Sequence, residues 1–298
     1  MRRGRTLAAV TVLVLAAALA IVLSETGRGN SPRRPVARMP AAAPPGPATP
    51  AAVGADGPQT HAVGYPETPE VRRLVATGKP IFCAPARGDE VALTFDDGPG
   101  PYTRLMLRKL RRHHVKATFF IVGRNIALSP SLLRRERRAG AVGDHTWTHP
   151  LLTGLPAAEQ HTQLARTQAA VARTSGGPVF LFRPPYGAHD ATTDGIARSL
   201  GLLEILWNVD SRDSLGASYA QIERTVVAGL RPGSIVLMHE NHGQTIRAML
   251  TIFAALKRKH LRAVSVPQLL TDDPPTAADL RAGPAACGLG SGASLKGG

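Results

Sequence analysis

Histidines and aspartates occur in this sequence at spacings that suit a metal site. His145 and His149 form an H-x-x-x-H pair. Residues four positions apart on a helical turn share one face, so both imidazoles could reach a single ion. With Asp97 as a third ligand, the set becomes an Asp-His-His site with one open position, which suits a divalent transition metal and a water. Two unrelated surface histidines on a turn are the alternative interpretation.

Two adjacent aspartates, Asp96 and Asp97, end a short apolar segment. Neighbouring side chains of a strand point to opposite faces, so the two carboxylates can have different roles. The alternative is an ordinary turn, because Asp, Gly and Pro are common turn residues.

Short apolar runs alternate with amphipathic segments from Glu90 to Leu270, which predicts about seven strand–helix units. The predicted strands are Val91–Phe95, Ala117–Val122, Ala141–Gly143, Val179–Phe182, Leu203–Val209, Ser234–Met238 and Val264–Val266. The predicted helices are Tyr102–His114, Asn125–Arg138, Ala157–Thr174, Asp190–Leu200, Tyr219–Leu230 and Gln244–His260, with a last turn at Gln268–Leu270. This alternation is typical of a parallel sheet buried on both faces. It favours one barrel over two domains, although an open doubly wound sheet has the same local pattern.

Polar residues follow five of these strands directly. They are Asp96 and Asp97, Asp144 and His145, Arg183, Asp210 and Asp213, and His239. In a parallel barrel such positions converge on the C-terminal face, where barrel enzymes keep their active sites. The sequence therefore predicts one active site built from these strand ends.

Four of these segments together resemble the successive motifs of the polysaccharide deacetylases, the NodB-homology enzymes also called carbohydrate esterase family four. The segments are Thr94–Pro99, His145–His149, Arg183–Gly187 and Leu237–His239, in the family's order. The resemblance covers about residues 79–270 and implies a distorted (β/α)7 TIM-like barrel. It also implies an enzyme that removes acetyl groups from peptidoglycan amino sugars, chitin or acetylxylan.

The resemblance implies a metal site and a general base. Asp97, His145 and His149 are expected to bind one divalent transition metal, with Zn²⁺ or Co²⁺ as its identity. Asp96 is expected to be the general base, and Arg183 to pair with it and orient it.

The remaining implied roles concern the leaving amine and the oxyanion. His239 is expected to be the general acid, with Asp210 orienting it. The backbone N–H of Tyr186 is expected to help hold the oxyanion, and Leu237 to belong to the substrate site. One position departs from the family pattern, since Ser214 stands where a tryptophan normally follows the aspartate of the fourth motif.

The N-terminus has the character of an export signal. Three arginines precede an apolar run from Leu7 to Leu23, which is long for a cleaved signal and just long enough to span a membrane. Either form leaves the rest of the chain outside the cytoplasm. The expected organisation is a signal peptide or membrane anchor (1–24), a Pro/Ala-rich linker (25–78), a catalytic domain (79–272) and a C-terminal tail (273–298).

The net charge of +15 is concentrated in one stretch. Residues 101–140 contain 11 basic side chains against one acidic, Glu136. One interpretation is that these side chains form a solvated face of the outer helices. The second interpretation is that basic residues between 104 and 138 form a docking surface for anionic wall polymers or a membrane surface. Export and the lack of a recognition helix or stacking motif argue against nucleic acid as a partner.

The two cysteines, Cys83 and Cys287, belong to no metal or nucleophile motif. In an oxidising compartment they could form a disulfide that holds the tail beneath the barrel. Two free thiols are the equally open alternative.

These observations together predict a secreted or membrane-anchored, metal-dependent polysaccharide deacetylase acting on peptidoglycan. Deacetylation of chitin oligomers or of acetylxylan is the alternative within the class. A different class, a non-catalytic module that binds wall polymer, is disfavoured by the complete set of ionisable residues.

Overall fold

The structure is a computed structural model that describes residues 67–289. The expected signal or anchor (1–24) and most of the expected linker lie outside the described residues. No helix within residues 67–289 combines the length and the apolar character needed to cross a membrane.

Eight strands and nine α-helices alternate along the described residues. The strands are β1 (Glu90–Gly98), β2 (Ala117–Ile121), β3 (Gly140–Asp144), β4 (Leu181–Phe182), β5 (Leu203–Glu204), β6 (Val209–Asp210), β7 (Ile235–His239) and β8 (Arg262–Val264). The helices are α1 (Pro69–Thr77), α2 (Thr103–Arg112), α3 (Pro130–Ala139), α4 (Ala157–Ser175), α5 (Ala191–Ser199), α6 (Tyr219–Gly229), α7 (Gly243–Arg258), α8 (Val266–Asp272) and α9 (Ala277–Ala282). Short 3₁₀ segments at Gly123–Leu128, Pro185–Gly187 and Asp213–Leu215 lie between them.

All strand pairs of the sheet are parallel, in the order β5-β4-β3-β2-β1-β7-β6. The short strand β8 runs beside the first residues of β1. Strands β5 and β6 lie at opposite ends of this order, yet only residues 205–208 separate them in the chain. Such a short connection brings the two edges close together, so the sheet curls. The predicted α/β class and parallel sheet are confirmed, and the curled sheet is consistent with the expected seven-stranded barrel.

Residues of β1 alternate between two buried apolar clusters. Val91, Leu93 and Phe95 pack in the cluster that includes the outer helices. Ala92 belongs to the second cluster, which lies inside the curl of the sheet. Asp96 shares the inward register of Ala92, since side chains alternate along a strand. This register turns Asp96 toward the interior end of the sheet.

The structure corrects three of the predicted elements. The predicted strand Leu203–Val209 is two separate strands, β5 and β6. The helix expected from Asn125 begins at Pro130, where proline suits a first turn because no N–H is needed. The strand expected at Val264–Val266 ends at Val264, because Ser265 caps helix α8.

Helix α1 lies within the segment expected to be linker (25–78). Thr68 caps it by accepting a hydrogen bond from the Val71 amide at 3.1 Å. Val71 and Leu74 are buried in the inner cluster. The packed part of the chain therefore begins before residue 79. The sequence did not predict this, because two apolar positions in a short helix are a weak pattern.

A disulfide joins Cys83 to Cys287, with 5.8 Å between the Cα atoms. Cys83 forms an antiparallel bridge with Ser234, which directly precedes β7. The disulfide thus holds the C-terminal segment at the start of the strands, away from their polar ends. Of the two alternatives left open by the sequence, the bridge is the one the structure contains.

Candidate active site

The polar strand ends meet at the C-terminal edge of the sheet, as predicted. Asp96 of β1 lies beside His239 of β7 in register. Asp144 of β3 lies beside Phe182 of β4, whose next residue is Arg183. The parallel sheet alone therefore brings these residues to one place.

Asp97, His145 and His149 form a cluster whose ligand atoms all lie within 4.8 Å of one another. The Asp97 Oδ1 atom is 3.7 Å from His145 Nε2 and 3.5 Å from His149 Nε2. Two imidazole nitrogens and one carboxylate oxygen form a donor set that suits a divalent transition metal. The residues predicted as metal ligands are therefore brought together.

The electrostatics of the cluster favour the forms that bind a metal. Burial, together with the neighbouring His145, lowers the pKa of His149 to about 4, so its imidazole is neutral at neutral pH. Burial acts to raise the pKa of Asp97, but the surrounding histidines and an Asn241 hydrogen bond outweigh it, and the net shift is downward. Neutral imidazoles and an ionised carboxylate are the metal-binding forms.

The two histidines are presented by a loop rather than by a helical turn, which corrects the prediction. Thr146 and His149 both have positive φ angles, 64° and 63°. The Asp144 carboxylate accepts from the Thr146 amide at 2.7 Å, and the Thr146 hydroxyl accepts from the His149 amide at 3.0 Å. These bonds stabilise the unusual backbone and leave the His145 and His149 ring centroids 4.9 Å apart.

Hydrogen bonds around the cluster orient its ligands. His145 Nδ1 lies 2.7 Å from the Arg183 carbonyl oxygen, so Nδ1–H donates there and leaves the Nε2 lone pair free. The Asn241 side chain donates to Asp97 Oδ2 and the Asn125 side chain to the Asp97 carbonyl, each at 3.0 Å. Sequence reasoning missed both asparagines, although Asn241 stands only two residues after His239.

Asp96 is held by Arg183, as expected. Arg183 is fully buried, and its Nη1 donates to Asp96 Oδ1 at 2.8 Å and to the Thr94 hydroxyl at 2.7 Å. Its Nε and Nη2 donate to the carbonyls of Ile205 and Leu206. The guanidinium therefore has a fixed position. The second oxygen of Asp96 is 3.7 Å from His145 Nε2 and thus faces the metal-ligand cluster.

His239 is oriented by Asp213 and not by Asp210, which corrects the prediction. His239 Nδ1 lies 2.7 Å from Asp213 Oδ1, and the His239 amide donates to Asp213 Oδ2 at 2.8 Å. The Thr245 hydroxyl also donates to Asp213 Oδ2. Asp210 instead accepts from the Arg212 amide at 2.7 Å. Arg212 has a φ of 60°, and this turn directs Asp213 toward β7.

The pair formed by His239 and Asp213 carries charge. Burial acts to lower the pKa of His239, but the hydrogen bond to Asp213 and its negative charge have the larger effect. The pKa of His239 is therefore raised to about 9. Burial likewise acts against ionisation of Asp213, yet the His239 and Thr245 hydrogen bonds hold its pKa at about 2. His239 is therefore an imidazolium at neutral pH and can donate a proton from Nε2.

Comparison with known proteins places this site in a family. A family model described as polysaccharide deacetylase matches residues 84–205. A chitooligosaccharide deacetylase from a Bradyrhizobium species is 35% identical over 198 residues, which cover 60% of this chain and 90% of that protein. The chain belongs to the polysaccharide deacetylase family.

Further members of the family are also similar to this chain. The peptidoglycan-N-acetylglucosamine deacetylase PgdA of Listeria monocytogenes is 39% identical over 181 residues, and the match spans 60% of this chain but only 38% of the length of that enzyme. A family 4 carbohydrate esterase from Streptomyces lividans, solved with acetate, is 39% identical with a TM-score of 0.58, covering 61% of this chain and 95% of that structure.

A cleft of about 570 Å³ opens beside the cluster of Asp97, His145 and His149, and Tyr186, Asn241 and residues of the 3₁₀ segment after β2 also line it. Tyr186 has a positive φ of 62°, and its ring lies 4.8 Å from that of His149. The Tyr186 amide takes part in none of the turn and loop hydrogen bonds between backbone groups of the described residues. Tyr186 itself lines the cleft beside His149.

Two further positions singled out in the sequence are Leu237 and Ser214. Leu237 is only 4% exposed and packs in the inner cluster, one inward position before His239 on β7. Its expected part in the substrate site stays a prediction. Ser214 is exposed, and its amide donates to Asp213 Oδ1 at 2.9 Å. The neighbouring Leu215 is half exposed.

Proposed function

We propose that the protein removes acetyl groups from the N-acetylated amino sugars of a cell-wall polysaccharide, with peptidoglycan as the substrate. The observation that carries this proposal is the cluster of Asp97, His145 and His149 with Asp96 and His239 close to it. Listeria PgdA, which is named for peptidoglycan, supports the choice of substrate. The chitooligosaccharide relative makes chitin oligomers the alternative substrate, and acetylxylan remains a further one.

Asp97, His145 and His149 would hold one divalent transition metal, Zn²⁺ or Co²⁺. Their donor set and the free Nε2 atom of His145 fit such an ion. When bound, the metal supplies Lewis acidity that polarises the acetyl carbonyl and acidifies the attacking water.

Asp96 is the general base of the proposed reaction. Arg183 occupies Asp96 Oδ1, so Oδ2 is the atom that accepts the proton of the attacking water. The acetyl carbonyl oxygen gains negative charge as the water adds. The Tyr186 N–H, to which the family resemblance assigns this role, would stabilise the charge by donating a hydrogen bond.

His239 is the general acid. The amine leaves poorly as an anion, so it must receive a proton as the carbon–nitrogen bond breaks. Protonated His239 donates that proton from Nε2, and Asp213 holds the ring and stabilises its charge through Nδ1. The products are acetate and a free amino group on the sugar.

We also propose an extracytoplasmic location, secreted or anchored to the outer face of the membrane, from the character of residues 1–24. Basic side chains support a contact with an anionic wall polymer. A cavity of about 410 Å³ between α2 and α3 is lined by Arg108, Arg111, Arg135 and Arg138. Arg137 is excluded from this surface, because it is buried and donates to Ser175.

The proposed function is tested by measuring acetate release from peptidoglycan, chitin oligomers and acetylxylan. We expect the fastest release from peptidoglycan, loss of release after treatment with a strong chelator, and recovery with Zn²⁺ or Co²⁺. Asp96→Asn loaded with the same metal is the control for acetate from other sources. Absence of acetate from all three polymers with metal-loaded protein would contradict the proposal.

A further inference from the structure

A second group of metal-ligating side chains lies outside the site described above. His189, Asp194 and Glu204 each offer one ligand atom, and these atoms lie within 4.8 Å of one another. His189 Nδ1 is 2.9 Å from Asp194 Oδ1 and 3.4 Å from Glu204 Oε1. Glu204 ends β5, Asp194 lies in the first turn of α5, and His189 belongs to the loop between Tyr186 and that helix.

Glu204 is the unusual member of this group. Its residue is 4% exposed, and neither carboxylate oxygen has a hydrogen-bond partner among residues 67–289. Burying a carboxylate without such partners is costly unless a proton or a cation compensates it. The site therefore has a place for one positive charge.

The carboxylate of the neighbouring Asp190 already accepts hydrogen bonds from the backbone. Its carboxylate caps helix α5 by accepting from the amides of Thr192 and Thr193, each at 2.9 Å. Capping leaves Asp194 and Glu204 as the two carboxylates that face His189. The ligand group is thus one imidazole and two carboxylates.

We propose that His189, Asp194 and Glu204 form a second divalent-metal site, of the kind that takes Zn²⁺. Zinc bonds of about 2.0–2.1 Å in a tetrahedron separate the ligand atoms by roughly 3.3 Å, close to the 3.4 Å between His189 Nδ1 and Glu204 Oε1. The 2.9 Å between His189 Nδ1 and Asp194 Oδ1 is a hydrogen bond that a bound ion would replace. The side chains of His189 and Asp194 are 26% and 24% exposed, so water reaches the ion and completes its coordination. Glu204 supplies the buried side of the site.

This second metal has a structural role. It joins the loop that follows Tyr186 to both β5 and α5. The same loop begins at Arg183, which orients Asp96 and accepts from His145. A metal at His189 therefore holds the segment that carries the proposed oxyanion donor, without contacting the substrate.

The test is the number of metal ions per chain in the full-length protein, by isothermal titration of the metal-free form with Zn²⁺ and by elemental analysis. We expect two equivalents for the wild type and one for Glu204→Gln. The double variant His145→Ala/His149→Ala should also bind one, and its melting temperature should rise when Zn²⁺ is added. These readouts do not depend on deacetylase activity, so they separate this proposal from the proposed function.

Two further variants complete the experiment. His161→Ala removes an exposed histidine of α4 that belongs to neither group, and it should retain two equivalents. His189→Gln removes a partly exposed ligand of the same group. This variant replaces Glu204→Gln in the test if the buried substitution prevents folding. Absence of Zn²⁺ binding by the folded His145→Ala/His149→Ala double variant, or two equivalents in a folded His189→Gln or Glu204→Gln protein, would overturn the second site.

Discussion

His239 and Asp213 contact each other twice, through the imidazole Nδ1 and through the backbone amide of His239. The double contact fixes both the ring orientation and the tautomer, because Nδ1–H must point at the carboxylate. It also places a full negative charge against the ring in a buried site. The proposed general acid is thereby kept protonated well above the ordinary pKa of a histidine, about 6.5.

The first prediction is a pH dependence set by this pair. With a His239 pKa of about 9, turnover should remain high through neutral pH and fall as the pH rises through about 9. Asp213→Asn should move this basic limb to lower pH, because the charge that raises the pKa is lost. The measurement is kcat against pH, and Asp210→Asn is the control that should leave the limb in place. If the basic limb of Asp213→Asn is unchanged, His239 is not the group whose titration causes the fall in kcat.

The same pair contributes to stability within a defined pH window. The raised pKa of His239 stabilises the fold fully below about 6.5 and loses this effect as the pH rises through about 9. The lowered pKa of Asp213 stabilises the fold above about 3.8 and loses its effect as the pH falls through about 2. Asp213→Asn should therefore cost most stability between about pH 4 and 6.5 in denaturant unfolding.

The second prediction separates the adjacent aspartates. Asp96→Asn should keep the bound metal but lower kcat by about 10²–10⁴-fold, since an amide cannot accept the proton of water. Asp97→Asn should lower the metal content instead, because Asp97 Oδ1 faces both histidines. Elemental analysis and acetate release on the same samples distinguish them. Equal loss of metal from both variants would show that the base and ligand assignments are wrong.

The third prediction concerns Arg183 as a buried charge. Its guanidinium donates to Asp96, Thr94 and two backbone carbonyls. Arg183→Ala should lower the free energy of unfolding by about 3–5 kcal/mol, because it leaves Asp96 buried and unpaired. Arg108→Ala, at an exposed site on α2, is the control and should change it by about 0.5 kcal/mol or less. Equal effects in urea unfolding would contradict a structural role for the Arg183 network.

The convergence of Asp96, His145, Arg183 and His239 could be predicted from the sequence, because parallel strands bring their ends together whatever their exact limits. The choice between Asp210 and Asp213 could not be predicted. The two aspartates follow the same strand, and the positive φ of the intervening Arg212 decides which one reaches His239. A local pattern does not contain that backbone angle.

The loop that carries His145 and His149 also differs from the local prediction. Four-residue spacing predicts a helical turn, but Gln163 of helix α4 accepts from the amides of Trp147 and Thr148, each at 2.9 Å. This contact from the helix that follows stabilises the loop against the local helical preference. The two imidazoles still meet, so the predicted ligands are retained although the predicted geometry is wrong.

The fourth prediction concerns the position where the family pattern has a tryptophan. Ser214 is exposed and follows Asp213, so Ser214→Trp adds an aromatic surface without filling the core. It should change KM or chain-length preference for long glycans more than kcat on a short substrate. The matched comparison is Ser214→Ala, which adds no surface. A collapse of kcat with Ser214→Trp alone would mean that this position lies at the reacting centre.

The last prediction concerns the disulfide between Cys83 and Cys287, which closes a loop across 204 positions of sequence. In the loop-entropy model a closure of this length stabilises the fold by roughly 5 kcal/mol, with real bridges often giving less. Cys287→Ser should lower the denaturant midpoint and leave kcat and metal content unchanged, because the bridge lies at the opposite end of the strands from His239. Reduced wild-type protein should show the same midpoint as the variant. Loss of metal from Cys287→Ser would show instead that the bridge and the active site are coupled.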